Sequence, residues 1–188
     1  MLFRSEGDGT GGGGASFFGS YRKGRRVAYV VDFSGSMGST AEGGGTFASH
    51  LKDELAKSIE GLGKGMSFTV IFFSSRAWHI ATEGPDYVGN GWNGLGNTPP
   101  CNWYPATEHI KKQVIGQVRS MPSDGGTSWY PGLKMALSMN PPPSIVYLLS
   151  DGEPRDGENV LFNLKELNPM GTPIDTIAFE LPGTPAGL

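Results

Sequence analysis

Asp32, Ser34 and Ser36 occupy alternate positions in Asp32-Phe33-Ser34-Gly35-Ser36-Met37-Gly38. In an extended segment, residues two apart project to one side, so three oxygen-bearing side chains can converge on one point. With no His or Cys among them, these hard donors suit magnesium, manganese or calcium better than zinc. Gly35 and Gly38 permit the sharp backbone path that such a loop needs. Two further loops carry matching groups. Gly125-Gly126-Thr127 presents a hydroxyl at the start of a helix, and Ser150-Asp151-Gly152 presents a second carboxylate at the end of an apolar run. Alone, Asp-x-Ser-x-Ser is a weak signal, because Asp and Ser are common turn residues. The conjunction of three loops carries the chemistry.

The elements that would position these loops follow from hydrophobic pattern. Val27-Ala28-Tyr29-Val30-Val31, Met66 to Phe73, and Ile145-Val146-Tyr147-Leu148-Leu149 are continuous apolar runs, the pattern of strands buried on both faces. A helix follows the first, with Phe47, Leu51, Leu55 and Ile59 on one face and Gly61 as its stop. Ser74-Ser75-Arg76 reads as a tight turn into a short antiparallel edge strand, Ala77 to Ile80. Thr107 caps a helix carrying Ile110, Val114 and Val118. A shorter helix runs from about Trp129 to Met139, and Pro141-Pro142-Pro143 ends it. A further helix spans roughly Glu158 to Leu167, and a last strand Ile174 to Phe179. This alternation predicts a three-layer α/β/α doubly wound fold, Rossmann-like, with a mostly parallel sheet and one antiparallel edge strand. Function in such sheets gathers at the carboxyl ends of the strands. The implied path brings all three loops to that end and sends the Trp-rich loop, Glu83 to Pro105, to the opposite one.

In order and spacing, these loops resemble the metal-ion-dependent adhesion site of von Willebrand factor A-type domains, over about Val27 to Phe179. The resemblance assigns Asp32, Ser34 and Ser36 to the first site loop, Thr127 to the second and Asp151 to the third. It implies that both serines bind the metal directly. Thr127 and the carboxylates would bind directly or through water, according to conformational state, leaving a sixth position for an acidic group of a protein partner. The expected function is therefore a magnesium-dependent (or manganese- or calcium-dependent) adhesion or interaction module, not an enzyme. Two carboxylates offset a dication without saturating it, so a partner's Asp or Glu still gains by coordinating. A scaffold of the same fold with a vestigial site is the alternative.

Other function classes fit less well. Ser34-Gly35-Ser36-Met37-Gly38 approaches the hydrolase elbow Gly-x-Ser-x-Gly, but Ser34 replaces the first glycine. Such enzymes also place a His after the acid, whereas His50, His79 and His109 all precede Asp151. Neither nucleotide-binding glycine motif follows the first strand. A net charge of −3 and a pI near 5.6 argue against nucleic acid, and Arg22-Lys23-Gly24-Arg25-Arg26 reads as a solvated strand flank. The single cysteine, Cys101, excludes an internal disulfide. No apolar run nears the about 20 residues of a membrane helix, so direct membrane insertion is not expected. Trp78, Trp92, Trp103 and Tyr104 are expected to fold back for stability. Trp129 and Tyr130, next to Thr127, are placed to frame a ligand surface.

The 188 residues suit one domain. Residues 1–24, with Gly9-Thr10-Gly11-Gly12-Gly13-Gly14, read as a flexible linker, and 25–188 as the A-type domain, cut short at its C-terminal end. The resemblance implies a further helix beyond that end, so apolar surface near Ile174 to Phe179 should lie uncovered and lower the stability. Ser16-Phe17-Phe18-Gly19 after a Gly-rich lead is similar to bacterial A-domain proteins, which suggests an upstream membrane anchor.

Overall fold

The computed structural model describes residues 14–17, 19–41, 44–80, 91–151 and 154–178. Eight strands and four α-helices are described: β1 (Gly14–Phe17), β2 (Ser20–Lys23), β3 (Arg26–Asp32), α1 (Phe47–Glu60), β4 (Ser67–Phe73), β5 (Ala77–His79), β6 (Tyr104–Pro105), α2 (Glu108–Ser120), α3 (Trp129–Leu137), β7 (Ile145–Ser150), α4 (Gly157–Leu167) and β8 (Ile174–Ala178). A short 3-10 turn, Gly35–Gly38, follows β3.

The main sheet runs β5-β4-β3-β7-β8, with β6 paired to the start of β4. Strands β3, β4, β7 and β8 are parallel, and β5 and β6 are antiparallel to β4. Apolar runs become central strands because both faces are covered, and successive side chains enter different cores. Val27, Tyr29 and Val31 join Leu51, Leu55 and Ile59 of α1 and Val114 and Val118 of α2. Ala28 and Val30 join Leu133 and Ala136 of α3 and Val160 of α4. Three layers result, as the alternation predicts. Gly132 lets α3 lie close on the sheet: a Cβ there would stand 2.9 Å from Val30 Cγ1.

Helix boundaries follow local chemistry. Thr46 and Ser49 cap α1 reciprocally, and Thr107 accepts from Ile110 N at the start of α2. Lys111 is buried and donates to Glu60 O and Leu62 O, which ties α2 to the end of α1.

Two features depart from the sequence reading. Gly14–Lys23, inside the segment read as linker, is an antiparallel hairpin (β1 and β2), while residues 1–13 and Phe18 lie outside the described residues. The hairpin is ordered because Ala15 and Phe17 are buried in the α1-side core and its backbone carbonyls satisfy buried hydroxyls. Phe17 meets Tyr29 and Tyr147 edge-on at 5.3 and 5.6 Å, and Tyr147 Oη donates to Ala15 O at 2.8 Å. It also reaches the face expected to lie bare: Ser20 Oγ donates to Asp175 of β8, and Ile177 is half-buried against the same core. Phe179 lies outside the described residues.

The Trp-rich loop is the second departure. It does not stay at the opposite end of the sheet. Residues 81–90 lie outside the described set, but Trp92 pairs with Ala77, near the carboxyl end of β4, and Gly94 packs against Tyr130. The chain then descends until Trp103 Nε1 donates to Pro141 O and Tyr104 pairs with Phe68. Trp78 and Tyr104 are buried, and Trp92 and Trp103 pack half-buried on the α3-side core.

Candidate metal centre

Parallel pairing of β3 with β4 and β7 brings three strand ends level. Asp32 is in register with Phe73, and Val31 with Leu149. Asp32 therefore leaves the sheet beside Ser150, whose Oγ donates to Asp32 Oδ2 at 2.6 Å. The other oxygen, Oδ1, accepts Ser34 N at 2.8 Å and folds the loop back on its own carboxylate. Ser34 and Ser36 bring their hydroxyls within 3.0 Å of one another, and Ser36 Oγ donates to Asp151 Oδ1 at 3.1 Å. Asp32, Ser34, Ser36 and Asp151 thus form one connected cluster at the carboxyl end of the sheet.

Thr127 reaches this end on a loop held by backbone bonds. Gly35 N donates to Gly125 O at 2.9 Å and Asp124 N to Phe33 O at 2.9 Å, so the first and second loops are stitched together on both sides of Ser34. Gly125 has φ +84°, a left-handed conformation that a side chain would strain. The third loop joins the second through Arg155 N, which donates to Thr127 O at 3.0 Å. Asp156 accepts Trp129 N and Tyr130 N with its two oxygens, at 2.9 and 3.0 Å, and so caps α3 from the start of α4. Gly152 lies outside the described residues.

Burial sets the electrostatics. Asp32, Ser34 and Asp151 are buried, Thr127 is half-buried and Ser36 is exposed. Burial pushes the Asp32 carboxyl above the usual carboxylate range; hydrogen bonds from Ser150 and Ser34 oppose that rise, and the charge of Asp151 adds to it. Among the described residues, Asp151 Oδ2 is buried without a hydrogen-bond partner. Buried polar atoms ordinarily find one, so this orphan acceptor, beside a second carboxylate and two hydroxyls, fits a cation. The donor set is all oxygen; among the described residues no cluster of three His, Cys, Asp or Glu side chains competes with it.

Several residues here escaped the sequence reading. Ser150 and Asp156 act through partners far along the chain. Ser75 Oγ accepts Gly126 N at 2.9 Å, and Ser74 O accepts Ser128 N at 2.9 Å, so the turn after β4 supports the Thr127 loop. Ser74-Ser75 directly following the second apolar run, at the same end as Asp32, was the available signal. Trp129 and Tyr130 are half-buried on the α3-side core. Lys134 Nζ lies over the Tyr130 and Trp92 rings at 5.2 and 5.5 Å.

Comparison with solved structures agrees on the fold. The chain superposes with TM-score 0.58 on a von Willebrand factor type A protein from Catenulispora acidiphila, at 18% identity over 82% of this chain and 33% of that one. Proximal thread matrix protein 1 from the mussel byssus, in a form with a zinc-occupied MIDAS motif, gives 0.52 at 20% identity, over 81% of this chain and 35% of that one. An aerotolerance-related membrane protein from Bacteroides fragilis, carrying multiple mutations to serine, gives 0.55 at 14% identity, over 88% and 76%. The chain has the fold of a von Willebrand factor A-type domain. It spans about a third of the length of the first two proteins. No protein-family profile and no curated relative matches it.

Proposed function

We propose that the chain is a divalent-metal-dependent protein-interaction module whose metal is held by Asp32, Ser34, Ser36, Thr127 and Asp151. The observation that carries this reading is the orphan Asp151 Oδ2, buried beside the Ser34 and Ser36 hydroxyls at the strand ends. Bound there, the metal would supply a Lewis-acidic position for an oxygen donor from outside. A partner's Asp or Glu is the fitting donor, since a carboxylate adds charge compensation that a neutral oxygen lacks. The zinc-occupied MIDAS motif of the mussel protein, a neighbour in fold, supports a metal-binding reading. Its zinc widens the candidates beyond magnesium, manganese and calcium.

In this reading the chain binds and does not turn over a substrate. The Ser34 and Ser36 hydroxyls contact one another and Asp151 rather than a histidine, and His50 Nε2 is engaged with Gly44 O. Among the described residues, neither serine therefore has the histidine partner of a serine hydrolase.

Calorimetric titration with magnesium, manganese, calcium and zinc, on the natural chain and on Asp32→Ala, tests the proposal. One saturable site in the former and none in the variant is expected. Equal binding by both, or by neither, would overturn it.

A further inference from the structure

Arg155 stands at the rim of the candidate centre. Its backbone N–H is fixed to Thr127 O, and its side chain lies across Gly126: a Cβ on that glycine would stand 3.1 Å from Arg155 Cζ and 3.3 Å from Nε. The missing side chain at Gly126 is what leaves room for the guanidinium. The residue is exposed. Among the described residues its side chain has no hydrogen bond and no ion pair; the pairs present are Lys57–Glu54 and Lys111–Glu108. Of the acidic side chains on the adjoining loops, Asp156 is engaged through both oxygens, and Asp124 and Asp151 through one each. Asp156 takes Trp129 N and Tyr130 N, Asp124 Oδ1 takes Gly125 N, and Asp151 Oδ1 takes Ser36 Oγ.

A cation held beside a dication site works against metal binding unless an anion from outside meets both charges. A guanidinium lying beside a glycine, with its fork uncommitted among the described residues, suits bidentate capture of a carboxylate. We propose that Arg155 is a second anchor for the same partner. The partner then presents two carboxylates close together, one to the metal and one to Arg155. This rests on the metal-dependent reading above and narrows its partner class from any acidic residue to a di-acidic segment. Arg155 contacts the partner and does not coordinate the metal.

The test uses the manganese-loaded chain and blocked peptides of glycine carrying either one Asp or two Asp separated by one to three glycines. The expected result is that at least one di-acidic peptide binds about tenfold more tightly than the mono-acidic one, the size of a single charge-assisted pair. Arg155→Ala should erase that preference without lowering manganese affinity or mono-acidic binding, and Arg155→Lys should keep part of it. A preference that persists in Arg155→Ala, or none in the natural chain, overturns the proposal while the metal reading stands. Failure of manganese itself to bind removes the metal reading, and the proposal with it.

Discussion

Ser36 and Asp151 are 115 positions apart in the chain and meet at one hydrogen bond, Oγ to Oδ1, of 3.1 Å. That contact exists because β3 and β7 are parallel and in register at Val31 and Leu149, so two strands end at one height. It joins the exposed Ser36 hydroxyl, beside the buried Ser34, to a carboxylate whose other oxygen has no partner among the described residues. The same relationship makes the centre costly to fold and suited to a cation, and the first prediction follows from that tension.

Asp32→Asn should abolish metal binding and yet stabilise the metal-free protein. The amide retains the shape, accepts Ser34 N–H and donates to the Ser150 hydroxyl, without a buried charge facing Asp151. Because burial raises the Asp32 pKa, the native state holds a proton that the unfolded chain has released between the ordinary carboxylate range and the raised value. The stability contributed by neutral Asp32 is thus fully present below that window and lost as pH rises through it. In chelator at neutral pH the variant should melt about 2–4 °C higher for each ~1 kcal/mol relieved. Its melting pH profile should be flatter there, and excess magnesium should raise the midpoint of the natural chain alone. A variant that melts lower in chelator would refute the buried-charge account.

Asp156→Ala should loosen the start of α3. Two backbone amides, Trp129 N and Tyr130 N, lose their acceptor, a change worth about 0.5–2 kcal/mol at a helix N-terminus. Because Thr127 precedes that turn by two residues, metal affinity should fall with it. Hydrogen exchange over residues 127–133, followed by mass spectrometry, should rise in the variant and recover in part in Asp156→Asn, which keeps one carbonyl acceptor. Unchanged exchange would mean that the cap contributes nothing.

Cys101 should resist alkylation in the native protein. Burial pushes its thiol up to about 12, from 9.0, leaving about a thousandfold less thiolate at neutral pH. The sign is that of any buried acid: the contribution is present below the ordinary thiol range and is lost as pH climbs toward about 12. Iodoacetamide labelling at neutral pH should be slow and should accelerate when denaturant unfolds the chain. Equal rates in both states would show that residues 91–103 do not stay packed.

The sequence made the central strands legible because Val27–Val31 and Ile145–Leu149 are apolar at every position, a pattern only double burial explains. It made the candidate centre legible through residue type at fixed spacing: Asp32, Ser34 and Ser36 announce themselves locally, and Asp151 ends an apolar run. What it hid depends on partners distant in the chain. Ser20-Tyr21-Arg22-Lys23 looks like solvent-facing chain until Phe17 is seen packed edge-on against both Tyr29 and Tyr147. The loop through Trp92 follows contacts with Ala77 and Tyr130, which no local period records. Arg155 gave no signal, being one arginine in a polar turn.

The hairpin has a practical consequence. Tyr147 Oη depends on Ala15 O and Ser20 O, and Tyr29 Oη reaches Ser58, whose hydroxyl in turn donates to Ser16 O. Two buried phenols therefore take their acceptors, directly or by one relay, from a ten-residue ribbon. A recombinant fragment started at the first core strand would keep every candidate metal ligand, yet open both phenols and the Phe17 socket to solvent. Poor yield or aggregation of such a fragment would then report on where it was cut rather than on the metal or a missing partner.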